Sequence, residues 1–151
     1  MSQTFRVLLV EDDDSLRNCL GEFLEGNGWE VGATGFSTDA MAMAKRHRFD
    51  FTILDFHLPG MTGLELFQGL ATIRPLPGIL MSGLATPEEA AAARHAGFFA
   101  FLRKPLELER LRHSVQQLIQ THFGGPMVTR PATRPARPDH SSFPNNPPPR
   151  N

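Results

Sequence analysis

Five short strand-like runs alternate with five stretches of helical periodicity along this chain, and that rhythm admits few folds. The runs fall at residues 5–10, 30–34, 51–54, 78–81 and 98–103. Between them, apolar residues recur at i, i+3, i+4 and i+7: Leu16, Cys19, Leu20, Phe23 and Leu24 after the first run, Ala40, Met41 and Ala44 after the second, and Leu108, Leu111, Val115, Leu118 and Ile119 after the last. Strand–helix alternation of this kind points to a parallel sheet with helices on both faces. The run Phe51-Thr52-Ile53-Leu54 lacks the in–out alternation of a half-exposed strand, as expected where both faces are covered. The expected fold class is therefore α/β, a doubly wound five-stranded parallel sheet.

Local signals set the element boundaries. Gly26 and Gly28 stop the first helix, and Ser37 is the expected N-cap of a second helix reaching residue 47. Leu58-Pro59-Gly60-Met61-Thr62-Gly63 reads as a turn, followed by a helix over 63–70. Thr86-Pro87-Glu88-Glu89 combines a hydroxyl cap, a proline in the first turn and a glutamate three residues after the cap, and Gly97 ends that helix.

The periodicity fades after the fifth helix, so the expected domain covers residues 4–122. Residues 123–151 hold eight of the chain's 13 prolines with no apolar period, a composition too poor in buriable surface to order itself, and are expected to form a disordered Pro/Arg-rich tail. The tail carries Arg130, Arg134, Arg137 and Arg150 against Asp139, which leaves the remainder of a chain of net charge −1 mildly acidic. An acidic body does not suggest nucleic-acid binding, and the tail is too short for a helix-turn-helix, so no DNA-binding domain is expected. Cys19 is the single cysteine, excluding an internal disulfide. The first residues lack the apolar stretch of a signal peptide and no run approaches the length of a membrane span; a cytoplasmic, membrane-independent protein is expected.

Function is carried by how the runs end. Val7-Leu8-Leu9-Val10 leads into Glu11-Asp12-Asp13, the third run into Asp55, the fourth into Ser82 and the fifth into Lys104-Pro105. In an open parallel sheet the carboxyl ends of the strands face one crevice, so these groups would converge. Each alone is ordinary: acids favour a helix N-terminus, aspartates form turns, Ser-Gly is a common loop, and Lys-Pro ends a strand. Together they match the needs of phosphoryl transfer onto a carboxylate: an exposed nucleophilic oxygen, a hard divalent cation, a fixed cation and a donor. Glu11, Asp12 and Asp55 offer a partial shell for Mg²⁺ or Mn²⁺, Lys104 the fixed cation and Ser82 the donor.

Leu8-Leu9-Val10-Glu11-Asp12-Asp13-x-x-Leu16-Arg17 resembles the opening of a bacterial two-component response-regulator receiver domain. Ile53-Leu54-Asp55-x-x-Leu58-Pro59-Gly60-Met61-x-Gly63-Leu64-Glu65-Leu66 is similar to that family's phosphorylation segment. Met81-Ser82-Gly83 and Ala96-Gly97-x-x-x-Phe101-Leu102-x-Lys104-Pro105 complete the pattern, which covers about residues 5–120. The resemblance implies the flavodoxin-like receiver fold in its stand-alone form and gives each residue a role. Asp55 would be the phosphoacceptor, Asp12 a direct metal ligand, Glu11 a ligand through water and the His57 backbone carbonyl the remaining protein ligand. Ser82 and Lys104 would bind phosphoryl oxygens, Gly83 would leave room for them, and the peptide before Pro105 would be cis. Ser82 and Phe101 would form the switch, Phe101 packing inward once Ser82 moves toward the phosphoryl. The implied donor is a phosphohistidine of a sensor histidine kinase or histidine phosphotransfer protein. The implied downstream partner docks on the face of the fourth helix, fifth strand and fifth helix.

Other readings remain beside this one. A haloacid-dehalogenase-like phosphatase also uses a strand-end aspartate, but places a second one two residues later, where this chain has His57. A flavin carrier of the same architecture wants a hydroxyl- and glycine-rich loop where this chain has acids. A receiver kept only for phosphorylation-independent docking would have less reason to keep all four strand ends. The family implies a switch rather than a turnover enzyme, hydrolysing only its own aspartyl phosphate. His57 and Leu84 occupy positions that tune phosphate lifetime in such domains, and Leu84 has no group to orient a water, so a long-lived phosphoryl is expected. The plainer role for the His57 side chain is exposure to solvent. Phe98 and Phe99 read first as added packing and second as a docking patch beside Phe101.

Overall fold

The computed structural model describes residues 4–124. The expectation of a disordered tail falls, from residue 125 onward, outside the described residues. Strands β1 (Arg6–Val10), β2 (Glu30–Thr34), β3 (Phe51–Asp55), β4 (Gly78–Ser82) and β5 (Ala100–Arg103) alternate with helices α1 (Asp14–Gly26), α2 (Ser37–Arg46), α3 (Gly63–Ile73), α4 (Pro87–Ala96) and α5 (Leu108–Phe123). The sheet order is β2-β1-β3-β4-β5, every neighbour parallel.

Strand side chains alternate between faces, and the core divides accordingly. Leu8, Val10, Leu54, Leu80 and Phe101 pack with residues of α2, α3 and α4. Val7, Leu9, Phe51, Ile53, Ile79, Met81 and Leu102 pack on the opposite face with Leu20 and Leu24 of α1 and Leu111, Val115 and Leu118 of α5. Strands β3 and β4 are buried at every position, as their unalternating sequences require. The one polar side chain within β3's span before Asp55, Thr52, donates its hydroxyl to the Leu8 carbonyl at 2.8 Å.

Several boundaries differ from those expected. Helix α2 takes Phe36 as its N-cap, with Ser37 already helical and no side-chain cap bond. The Thr34 hydroxyl instead accepts from the Phe36 N–H at 3.2 Å. Helix α3 runs on to Ile73 and ends where Arg74, extended at φ −167°, precedes Pro75, since a proline disfavours helical backbone in the residue before it. Strand β5 starts at Ala100 because Gly97 turns the chain at φ 94° and the Phe98 N–H still closes α4, donating to Ala93 O at 3.1 Å. The turn after β3 holds a small hairpin, His57–Leu58 against Met61–Thr62, with Gly60 at φ 85° supplying the left-handed residue.

Phe98 is buried and stacks on Phe67 with ring centroids 3.9 Å apart, over Gly78, where a Cβ would lie 2.7 Å from the Phe67 ring. Phe99 is half-buried, edge-on to His122 at 5.8 Å. Both side chains therefore serve packing. No helix among the described residues is long and apolar enough to cross a membrane.

Candidate functional site

Register brings the strand ends to one edge. Val10 pairs with Leu54, Asp55 with Met81, and Ser82 with Arg103, so Glu11, Asp55, Ser82 and Lys104 lie side by side at the carboxyl edge of the sheet. Three backbone bonds extend the ladder past the strands: Glu11 N–H to Thr34 O at 3.1 Å, Phe56 N–H to Met81 O at 2.8 Å, and Lys104 N–H to Ser82 O at 2.9 Å. The Lys104–Pro105 peptide is cis.

The four consecutive acids after β1 separate in space. Asp13 caps α1, accepting from the Leu16 N–H at 2.9 Å, and Asp14 in the first turn pairs with Arg17 at 2.7 Å. Arg17 also reaches back to the Glu11 carbonyl at 2.8 Å, pinning the end of β1. Glu11 and Asp12 are left for the crevice. Carboxylate oxygens of Glu11, Asp12 and Asp55 all lie within 4.8 Å of one another.

Lys104 holds the centre of this cluster. Its Nζ donates to Asp55 Oδ2 at 3.0 Å and sits 2.8 Å from Glu11 Oε1. Glu11 is fully buried; its Oε2 accepts from the Asp13 N–H at 3.0 Å, whereas Oε1 has no hydrogen bond aligned on it. Burial pushes the Glu11 carboxyl above its usual range, against the pull of Lys104 and the Asp13 N–H, and the Asp55 charge pushes the same way. Burial works against the Lys104 ammonium, but the Glu11 and Asp55 carboxylates outweigh it and raise its pKa.

These residues fit a hard divalent ion. Mg²⁺ takes oxygen ligands in octahedral geometry and keeps several waters. Three carboxylates at a half-open edge, with Glu11 and Asp55 held together by Lys104, offer such a shell. A Cβ at Gly83 would meet nothing within 4 Å, so the space beside Gly83 itself is open. Gly63 packs directly beneath the Asp55 backbone, where a Cβ would collide with the Asp55 carbonyl oxygen.

Two expected features look different in the structure. Phe101 is fully buried, in the cluster with Ala85, Ala90 and Ala93, and so stands in the inward position expected of it after switching. The reason is physical: a phenyl ring has no polar tip to keep in water, and the small alanines of α4 leave it room. Ser82 Oγ is not turned to open space but lies 2.5 Å from Glu89 Oε1, on α4. The other Glu89 oxygen meets His57 Nε2 at 2.9 Å, so the half-exposed His57 side chain has a protein partner. By its spacing from Thr86, Glu89 reads only as a capping residue. The Thr86 hydroxyl does accept from the Glu89 N–H at 3.0 Å, but the carboxylate points into the site. Nothing in spacing alone distinguishes these two uses of a glutamate at that helix position.

Comparison with known proteins agrees with this architecture. A family model for the response regulator receiver domain matches residues 7–116. The response regulator protein FleR of Pseudomonas aeruginosa is 35% identical over 135 residues, covering 85% of this chain and 28% of that protein. The transcriptional activator protein PfeR of the same organism is 33% identical over 115 residues, covering 76% of this chain and 38% of that one. The chain thus spans well under half the length of these curated relatives. Among solved structures, a CheY-like receiver domain protein from Methanospirillum hungatei superposes with a TM-score of 0.74 at 26% identity, covering 79% of this chain and 96% of that one. Chemotaxis protein CheY4 of Vibrio cholerae gives 0.71 at 28% identity, covering 76% and 98%. A match over nearly all of the described sheet and helices, on a fold whose crevice gathers acids, hydroxyl and lysine, leads to one family: this chain belongs to the response regulator receiver domains.

Proposed function

We propose that the chain is a phosphorylation-activated switch in a two-component phosphorelay, with Asp55 as the phosphoacceptor. The observation that carries this reading is the single cluster of Glu11, Asp12 and Asp55 carboxylates with Lys104 Nζ at 3.0 Å from Asp55. The donor is a phosphohistidine of a sensor histidine kinase or histidine phosphotransfer protein. An Asp55 carboxylate oxygen attacks phosphorus in line, the O–P bond forming as the P–N bond breaks and the imidazole leaves with the bonding pair. Asp12 and Asp55 would hold Mg²⁺ or Mn²⁺, with Glu11 acting through water and the His57 backbone carbonyl as the remaining protein ligand. When bound, the ion supplies positive charge that offsets repulsion between the incoming phosphoryl and the carboxylates.

Lys104 then follows the charge, exchanging its contact with Asp55 for one with a phosphoryl oxygen. Ser82 donates its hydroxyl to another. The added charge of about −1.5 to −2 biases a two-state element, here the loop after β4 and the start of α4. The readout is docking of a downstream protein on the face of α4, β5 and α5. The domain is not a turnover enzyme; hydrolysis of its own acyl phosphate resets it, slowly, because the exposed Leu84 side chain offers no group to orient a water.

Acetyl phosphate with Mg²⁺ tests the reading directly. Intact mass should show one added phosphoryl in the wild type and none in Asp55→Asn. Equal uptake in both proteins would remove Asp55 from this role.

A further inference from the structure

A serine hydroxyl has one hydrogen, and that of Ser82 is already engaged. The backbone N–H groups of Leu84 and Ala85 both donate to Ser82 Oγ, each at 3.2 Å, and Glu89 Oε1 stands 2.5 Å away. A carboxylate accepts and a backbone N–H donates, so the hydroxyl hydrogen is directed at Glu89. Ser82 cannot also donate to a phosphoryl oxygen on Asp55 without giving that bond up.

Glu89 is placed to hold Ser82 rather than its own helix end. It stands third in α4 after the Thr86 cap, the position Glu65 occupies in α3 after Thr62. Glu65 folds its carboxylate back to the Thr62 N–H at 2.9 Å, closing a capping box. Glu89 does not close one; its side chain, only 11% exposed, spends one oxygen on Ser82 and the other on His57 Nε2. It therefore ties the start of α4 to the end of β4 and to the segment after β3.

We propose that Glu89 is a positioning residue that competes with the phosphoryl group for the Ser82 hydroxyl and so holds the domain in its unphosphorylated arrangement. This rests on the reading of Asp55 as phosphoacceptor and Ser82 as donor. Phosphorylation transfers the Ser82 hydrogen bond from one anion to another, and release of Glu89 frees the start of α4.

The test is a double-mutant cycle on the full chain, reading apparent affinity for beryllofluoride with Mg²⁺ by fluorine NMR. Removing Glu89 removes a charge-assisted competitor, so Glu89→Ala should bind about tenfold tighter than wild type. Glu89→Gln keeps the side-chain volume and a neutral acceptor and should fall between them, which guards against a folding defect in the alanine variant. In a Ser82→Ala background, Glu89→Ala should change affinity little, because the hydroxyl being contested is gone. Unchanged affinity in Glu89→Ala and Glu89→Gln overturns the proposal. So does an equal gain with and without Ser82, which would mean simple repulsion between the glutamate and the bound anion. Acetyl phosphate labelling of the wild type separates the two levels: absence of label on Asp55 defeats the underlying reading, whereas normal label with an inert Glu89 defeats this inference alone.

Discussion

Glu11, Asp12, Asp13 and Asp14 are adjacent in the chain and part company in the fold. Asp13 and Asp14 serve the N-terminus of α1, where backbone N–H groups favour negative charge, while Glu11 and Asp12 turn into the crevice. The metal-shell reading of Glu11 and Asp12 was legible in sequence; the separate tasks of Asp13 as cap and Asp14 as partner of Arg17 were not, because they depend on side-chain direction. Gly63 shows the same dependence. It makes no chemistry, yet a methyl there would press on the Asp55 carbonyl at 2.3 Å and on Leu80 at 2.9 Å. Gly63→Ala is expected to destabilise the domain by about 1–3 kcal/mol, as over-packing does, and to slow phosphoryl uptake. Urea unfolding and intact mass after acetyl phosphate treatment measure the two effects. Gly69, inside α3, is the contrast: its Cβ would meet only the flexible Met41 thioether at 3.3 Å. Gly69→Ala should gain about 0.5–1 kcal/mol from helix propensity.

The helices differ in how their ends are secured. Helix α3 has a full capping box between Thr62 and Glu65, α4 only the Thr86 half of one, and α2 no side-chain cap at all. Thr62→Ala should therefore lower stability by about 1 kcal/mol in urea unfolding, the usual cost of losing such a cap. Helix α5 carries a pH-sensitive contact, His122 against Phe99. Partial desolvation lowers the His122 pKa below its ordinary 6.5, so the folded protein takes up this proton at lower pH than the unfolded chain. Stability should fall as pH drops through 6.5, then level off once the folded pKa is passed. His122→Leu should reduce the loss in unfolding free energy between pH 7.5 and pH 5 (about the window in which an ordinary histidine titrates). An unchanged loss would show that the histidine does not contribute.

At the scale of the molecule, a stable two-faced core supports a rim of crowded charge. Two carboxylates share Lys104, and the buried Glu11 oxygen lacks an aligned donor. Like charges repel at this range, so Mg²⁺ at millimolar levels should raise Tm, and Asp12→Ala should blunt the rise. A flat response in the wild type would argue against a cation at this edge. The two core faces followed from periodicity, as the division of odd and even residues of β1 shows, whereas strand order is set by tertiary pairing. The convergence of strand-end residues followed from the parallel sheet, because every strand in such a sheet delivers its last residue to the same edge.

Local periodicity, caps and strand-end chemistry, all short-range properties of the chain, were enough to determine five strands, five helices and a shared rim of acids, hydroxyl and lysine. Tertiary packing decided what those properties leave open. It placed Phe101 fully inside, because the alanines of α4 make room for it. It turned the Glu89 carboxylate from its own helix end toward Ser82 and His57, because two partners across the crevice outweigh one local N–H. Side-chain direction depends on neighbours far away in sequence, and the spacing of residues along the chain carries no record of them.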